Sequence, residues 1–288
     1  MLCRHRVDAT PLPTLPSSRP NGRDLRVTPV DVSVAYASPW LATTCVFVSD
    51  VMGTSITSGR CASNRAYTEG GRGVLTGPAA VFVLITCVGV AVALVSFRVG
   101  MPRAYVVSKA SASLGFIGTA LAAGAMDSVW GRLALGGLVL SAAGDVVLSL
   151  RGRRAFLSGM ACFAAAYMTY SIAFVFSGVR VAALGATAPA VAATAAGVWI
   201  WLRTRLPEPL RIPVGAYVGI VAVMLAVGTA AGITHRSWML FCGVILVAGS
   251  DIAVGRERFD DAGFENKLLG LPAYYAGQTL IALSLSGV

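Results

Sequence analysis

The chain has 288 residues, 56% of them hydrophobic and 12% charged, with a formal net charge of +10. An average soluble domain carries about 25% charged residues, so this sequence has roughly half the polar supply that a soluble globule needs. A soluble enzyme, a disordered protein and a secreted disulfide scaffold are excluded, and the composition predicts an all-α fold: a polytopic membrane helix bundle.

Residues 1–75 are rich in Pro, Ser, Thr, Gly and Arg and read as a disordered basic tail. A start codon placed too far upstream would explain such a tail, and no signal peptide is apparent. The stretch 32–49 is mildly apolar, but Asp31 and Asp50 bound it and Pro39 interrupts it, which argues against a span there. From 76 to 288 the chain reads as one membrane domain. A bilayer core of about 30 Å needs roughly 20 apolar residues per helix. Runs at 77–97, 104–124, 132–150, 155–177, 181–202, 212–233, 237–255 and 268–287 meet or approach that length, giving about eight transmembrane helices. Pro213 is expected in the first turn of its helix, while Pro189 and Pro272 fall inside spans.

The basic residues flank these runs, as snorkelling side chains do, so nucleic acid is not an expected partner and membrane lipid is. Loops on one side carry Arg98, Arg103, Arg151, Arg153, Arg154, Arg203, Arg205, Arg211, Arg256, Arg258 and Lys267. The other side carries Arg132, Arg180 and Arg236, with Arg60, Arg65 and Arg72 ahead of the first span. The larger group is expected to face the cytoplasm. Arg outnumbers Lys 21 to 2, in keeping with a GC-rich genome, and the expected location is a bacterial plasma membrane. Cys87, Cys162 and Cys242 lie in apolar runs without C-x-x-C spacing, and His5 and His235 lie outside the spans. No metal and no cofactor is expected.

Three ionisable residues lie inside the spans: Lys109, Asp145 and Asp251. Such residues usually face the bundle interior, because a charge facing lipid is costly. Lys109 follows Arg103 by six residues, Asp145 precedes Arg151 by six and Asp251 precedes Arg256 by five. Loops separated by two crossings are on one side, so all three lie roughly 8–9 Å inside the same membrane face. Gly137, Ser141, Asp145 and Ser149 form one small, polar stripe at helical spacing; Gly159, Phe163 and Tyr167 form a second, and Gly270, Tyr274 and Gln278 a third. Tyr217 enters its span from the same side. The pattern predicts a polar pocket open toward one leaflet. A shift of 106 residues lays Asp145 over Asp251, which suggests a parallel four-plus-four internal repeat. Read from the residues alone, the Asp/Lys set fits a catalytic site, a proton or substrate relay in a transporter or lipid-binding receptor, or a purely structural pairing.

The segment Leu138-Val-Leu-Ser-Ala-Ala-Gly-Asp145-Val-Val-Leu148 resembles the G-L-x-F-S-x-x-G-D-x-x-L signature of the YhhN/TMEM86 family, the lysoplasmalogenases. Phe241 to Val254, with Gly249-Ser250-Asp251, is similar to that family's second signature. Gly159, Phe163 and Tyr170 fit the helix after the first Asp, and Pro213, Tyr217 and Met224 fit the sixth span. Tyr274 with Gln278 fits the last span, and Lys109 matches a Lys in the second. The resemblance covers about 76–287. Two departures stand out: Tyr167 occupies the place of a His, and Ala110 the place of a Pro.

The resemblance implies hydrolysis of the vinyl ether bond of a lysoplasmalogen or related lysolipid to a fatty aldehyde and a glycerophospho-head-group. That reaction needs a proton delivered to carbon and water to capture the oxocarbenium ion. Asp145 and Asp251 are the expected acid/base pair, dividing the work as paired carboxylates do in glycosidases. Lys109 and interfacial Arg residues are expected to hold the substrate phosphate, with Ser141, Tyr167, Tyr217, Ser250, Tyr274 and Gln278 supporting.

Overall fold

The computed structural model describes residues 77–150 and 152–287. The tail over 1–75, the stretch 32–49 and the three tail arginines of the loop comparison lie outside the described residues. Contacts divide the chain into units 1–50 and 51–288, and everything described here belongs to the second.

Eight helices follow one another, α1 (Gly77–Val99), α2 (Pro102–Ala122), α3 (Val129–Leu148), α4 (Arg153–Phe176), α5 (Val181–Arg203), α6 (Glu208–His235), α7 (Trp238–Phe259) and α8 (Phe264–Ser284), with no strand among the described residues. At 1.5 Å per residue the shortest, 20 residues, is about 30 Å long, the thickness of a bilayer core. Helices of this length hydrogen-bond their own backbones, which is what makes an apolar run tolerable in lipid. The connections are short. Those after α1 and α4 turn on Gly100 and Gly178, whose φ of 79° and 88° lie in the left-handed region that a side chain disfavours.

Six helices, α1 and α3 to α7, are long and apolar enough to cross a membrane. The other two are equally long but more polar, α2 through Lys109 and its serines and α8 through residues such as Asn266, Lys267 and Gln278. The packing explains why the chain tolerates them. Helix α8 is buried almost throughout its second half, whereas α1 exposes Val81, Leu84, Val88, Val92 and Val95. Polar helices are held inside and apolar ones face outward, as a lipid solvent requires.

The closest helix pairs are α1 with α2, α3 with α4, and α7 with α8, and α8 also packs along α2. Glycines permit the approach of α7 to α8: a Cβ on Gly277 would stand 2.7 Å from Val247 and 2.8 Å from the Gly243 carbonyl. Helix α5 packs mainly on α6 and buries only Ala183 and Leu202.

One boundary differs from expectation. Helix α6 begins at Glu208, with Pro209 in its first turn, so Pro213 lies inside the helix and does not open it. The polar turn Glu208–Arg211 extends the helix past the apolar run, and Pro suits a first turn because its missing N–H has no partner there. Pro189 and Pro272 lie inside α5 and α8, as the sequence suggested.

Candidate functional site

Helices α2, α3 and α8 build the first half of the site. Lys109 and Asp145 are buried and paired, with Nζ 2.7 Å from Oδ1 and side-chain exposures of 6% and 5%. The ammonium also donates to Ser149 Oγ at 3.0 Å and to the Asp145 backbone carbonyl at 3.3 Å. Its three protons are therefore all engaged. The other carboxylate oxygen of Asp145, Oδ2, accepts from Ser113 Oγ at 3.3 Å and from the Tyr275 hydroxyl. The i, i+4 spacing of Lys109 and Ser113 places both on the face of α2 that meets α3.

The second half stands on α4, α6 and α7. Asp251 Oδ1 accepts from the Tyr167 hydroxyl at 3.3 Å, and the Tyr217 phenol stands beside the same carboxyl. Asp251 Oδ2 is buried without a hydrogen bond of good geometry among the described residues. The rings of Tyr167 and Tyr217 pack at 6.0 Å between centroids. Behind this pair the Tyr170 hydroxyl donates to Gln278 Oε1 at 2.6 Å, and Gln278 Nε2 is buried without a partner among the described residues. Tyr274 donates to the Ser141 carbonyl at 3.2 Å, tying α8 to α3. Ser250 turns back to the Val247 carbonyl at 2.7 Å.

One cavity of about 680 Å³ connects the two halves. Lys109, Asp145, Tyr217, Ser250, Asp251 and Tyr274 line it. Tyr167, Ser141 and Gln278 sit directly behind its wall, each with no exposed surface. The α1–α2 turn, the end of α3, the end of α7 and the start of α8 line one end of the cavity, where Gly100, Met101, Gly152 and Arg258 are exposed and form its mouth. These connections are the ones that loop counting placed on a single side. Deeper in, the wall is apolar and comes largely from α5 and α6, through residues such as Val191, Val198, Val218, Val221 and Leu225.

The structure brings Lys109, Asp145, Tyr217, Ser250, Asp251 and Tyr274 to one cavity, but with partners the sequence did not specify. Lys109 pairs with Asp145, and no ion pair joins it to Asp251. With its protons spent on Asp145 and Ser149, it is not placed to clamp a phosphate. Of the interfacial arginines among the described residues, only Arg258 lines the cavity, joined by Lys267. Tyr275 and Ser113, which complete Asp145, were missed. The signal for Tyr275 is its place one residue beyond Tyr274, since neighbouring residues on a helix point about 100° apart and reach different partners. The signal for Ser113 is its spacing from Lys109.

A bundle of bilayer-length helices that buries two carboxyl groups around one cavity defines a polytopic membrane protein with an intramembrane polar site. The chain belongs to the YhhN family, whose family model matches residues 104–285. It is 34% identical over 154 residues to human "Lysoplasmalogenase TMEM86B", covering 53% of this chain and 63% of that protein. It is 33% identical over 155 residues to the TMEM86B lysoplasmalogenase of Sus scrofa, covering 52% and 62%, and 32% identical over 155 residues to "Lysoplasmalogenase TMEM86A" of Bos taurus, covering 51% and 62%. The chain thus spans a little under two thirds of the length of these relatives. No solved structure matches it.

Proposed function

We propose that this protein hydrolyses the vinyl ether bond of a lysoplasmalogen or closely related lysolipid, with Asp251 as the proton carrier and Asp145 as a fixed carboxylate. The observation that carries this reading is the unequal completion of two carboxyl groups on one cavity. Asp145 accepts from Lys109, Ser113 and Tyr275, so each of its oxygens already faces a donor and neither has room for a proton of its own. Asp251 accepts from Tyr167 through Oδ1 with the Tyr217 phenol beside it, and its Oδ2, which has no hydrogen bond of good geometry among the described residues, is the atom able to carry the proton.

The chemistry follows in order. Asp251 delivers its proton to the β-carbon of the enol ether, and the electron pair of the double bond forms the new C–H bond. The positive charge is left on the adjacent carbon and the ether oxygen. The negative charge fixed on Asp145 favours that oxocarbenium ion. Water then adds to the cationic carbon and returns a proton to Asp251. The hemiacetal collapses to a fatty aldehyde and the glycerol hydroxyl of the head-group. Gln278 Nε2, buried and without a partner, suits the positioning of that water. The apolar depth between α5 and α6 suits the single chain of a lysolipid, and the polar mouth suits its head-group. Tyr167, in the place where the family pattern has His, holds Asp251 by donating to it and is not itself the acid.

The test is aldehyde release from lysoplasmalogen by the purified protein in detergent, beside Asp251→Asn. A folded Asp251→Asn variant with full turnover overturns the reading. A proton-coupled transporter or lipid-binding receptor built on the same residues would give no aldehyde, and transport would need a sealed bilayer. The engagement of all three Lys109 protons counts against a relay through that residue.

A further inference from the structure

The mouth of the cavity carries a second polar constellation that the proposed hydrolysis does not use. Lys267, on the first turn of α8, pairs with Glu257 at 2.8 Å, and the two side chains are only 18% and 25% exposed. The same ammonium lies 5.3 Å from the ring centre of Phe97 and 5.9 Å from that of Tyr105. A carboxylate flanked by two aromatic rings is a site for an ammonium group, and here the protein's own Lys267 fills it. One residue further along α7, Arg258 is stacked over Phe156 at 4.8 Å. Among the described residues its guanidinium makes no hydrogen bond and no ion pair, so its in-plane donors are free for an anion. All five of these residues, Phe97, Tyr105, Glu257, Arg258 and Lys267, line the cavity, as does Phe156.

We propose that this mouth is a zwitterionic head-group subsite, in which Arg258 binds the lysolipid phosphate and the Phe97–Tyr105–Glu257 corner binds the head-group ammonium by displacing Lys267. The inference rests on the lysolipid reading above and adds the residues that hold the head-group and set its preference. Spacing supports it. Asp251 and Arg258 are seven residues apart on α7, which places them on the same face and about 10.5 Å apart along the axis. Seven bonds separate the protonated alkenyl carbon from the phosphorus of a lysoplasmalogen, about 8 Å when extended. A phosphate on the Arg258 guanidinium therefore leaves the reacting carbon beside Asp251. The ammonium lies a few bonds beyond the phosphate, as Glu257 lies beside Arg258. Because Lys267 competes for the corner, it sets how strongly a cationic head-group is preferred over a bare phosphate.

The test uses the full chain in detergent with four saturated ether lipids of one chain length, which bind but cannot be cleaved: an alkylglycerol, an alkylglycerophosphate, and the phosphoethanolamine and phosphocholine forms. The wild-type protein should bind the phosphate lipid about tenfold more tightly than the alkylglycerol, and the cationic forms about threefold more tightly again. Arg258→Gln should remove the phosphate step for all three phosphate lipids and spare the alkylglycerol. Glu257→Gln should remove only the cationic step. Lys267→Gln should raise the ratio of phosphocholine to phosphate affinity about fivefold, by vacating the corner. Equal affinity for the four lipids, or a Lys267→Gln ratio that does not move, overturns the subsite. Hydrolysis with a flat head-group order defeats this inference alone, whereas the predicted order without aldehyde release defeats the catalytic reading alone.

Discussion

The buried pair of Lys109 and Asp145 makes the sharpest energetic prediction. Both side chains are nearly inaccessible, and their contact is 2.7 Å. Lys109→Met keeps most of the side-chain length but leaves Asp145 with only Ser113 and Tyr275 as donors. Asp145→Asn leaves the Lys109 ammonium with Ser149 and a backbone carbonyl. Removing one partner of a buried pair costs about 3–5 kcal/mol, because the surviving charge has neither water nor a counter-charge. For a domain of this size each kcal/mol moves Tm by about 2–4 °C, so each single variant should melt about 6–20 °C lower. The double variant Lys109→Met with Asp145→Asn strands no charge. Its loss should fall short of the sum of the singles by about 2–3 kcal/mol. Thermal unfolding in detergent, followed by tryptophan fluorescence on all four proteins, measures the cycle. Strictly additive losses would refute the coupling and, with it, the assignment of Asp145 as a carboxylate held by Lys109.

Three further outcomes are expected. Asp251→Asn should lower kcat by about 100- to 10,000-fold, the usual weight of a positioned proton donor, while leaving Tm within a few degrees of wild type; initial rates of aldehyde release and a melt on the same preparation check it. Tyr275→Phe removes a donor from an ionised carboxylate and should destabilise by about 1.5–3 kcal/mol, whereas Tyr274→Phe loses a bond to a backbone carbonyl and should cost about 1 kcal/mol; equal melting shifts would contradict the placement of Tyr275 on Asp145. Gly277→Ala drives a Cβ to within 2.7 Å of Val247 and 2.8 Å of the Gly243 carbonyl, and should cost about 1–3 kcal/mol by forcing α7 and α8 apart, while Gly219→Ala, where a Cβ meets nothing within 4 Å, should melt like wild type.

Much of the site was legible because lipid makes charge rare. Three ionisable residues in the spans were enough to mark Lys109, Asp145 and Asp251, and rise per residue was enough to put them at one depth. The four-residue stripes pointed Asp145, Tyr167, Tyr274 and Gln278 inward, and all four are at least 93% buried. Partner choice was not legible. Tyr275 lies off the stripe of Tyr274, and which of two adjacent tyrosines meets a given carboxyl depends on how α8 is rotated against α2 and α3. Lys109 looked free to serve either aspartate or a phosphate, and only the approach of α3 shows its three protons spent on Asp145 and Ser149.

By itself, then, the sequence determined the membrane class and the helix count. Those follow from composition and from a fixed 1.5 Å rise, which need no tertiary contact. The tertiary structure decided what the charges do. It enclosed the two least apolar helices, gave Asp145 a donor on each oxygen and left Asp251 Oδ2 without one, and set the pairs Lys109–Asp145 and Lys267–Glu257 around one cavity with Asp251 and Arg258. Hydrogen-bond partners depend on helix rotation and interhelical distance, and those are set by side-chain packing across elements distant in the chain.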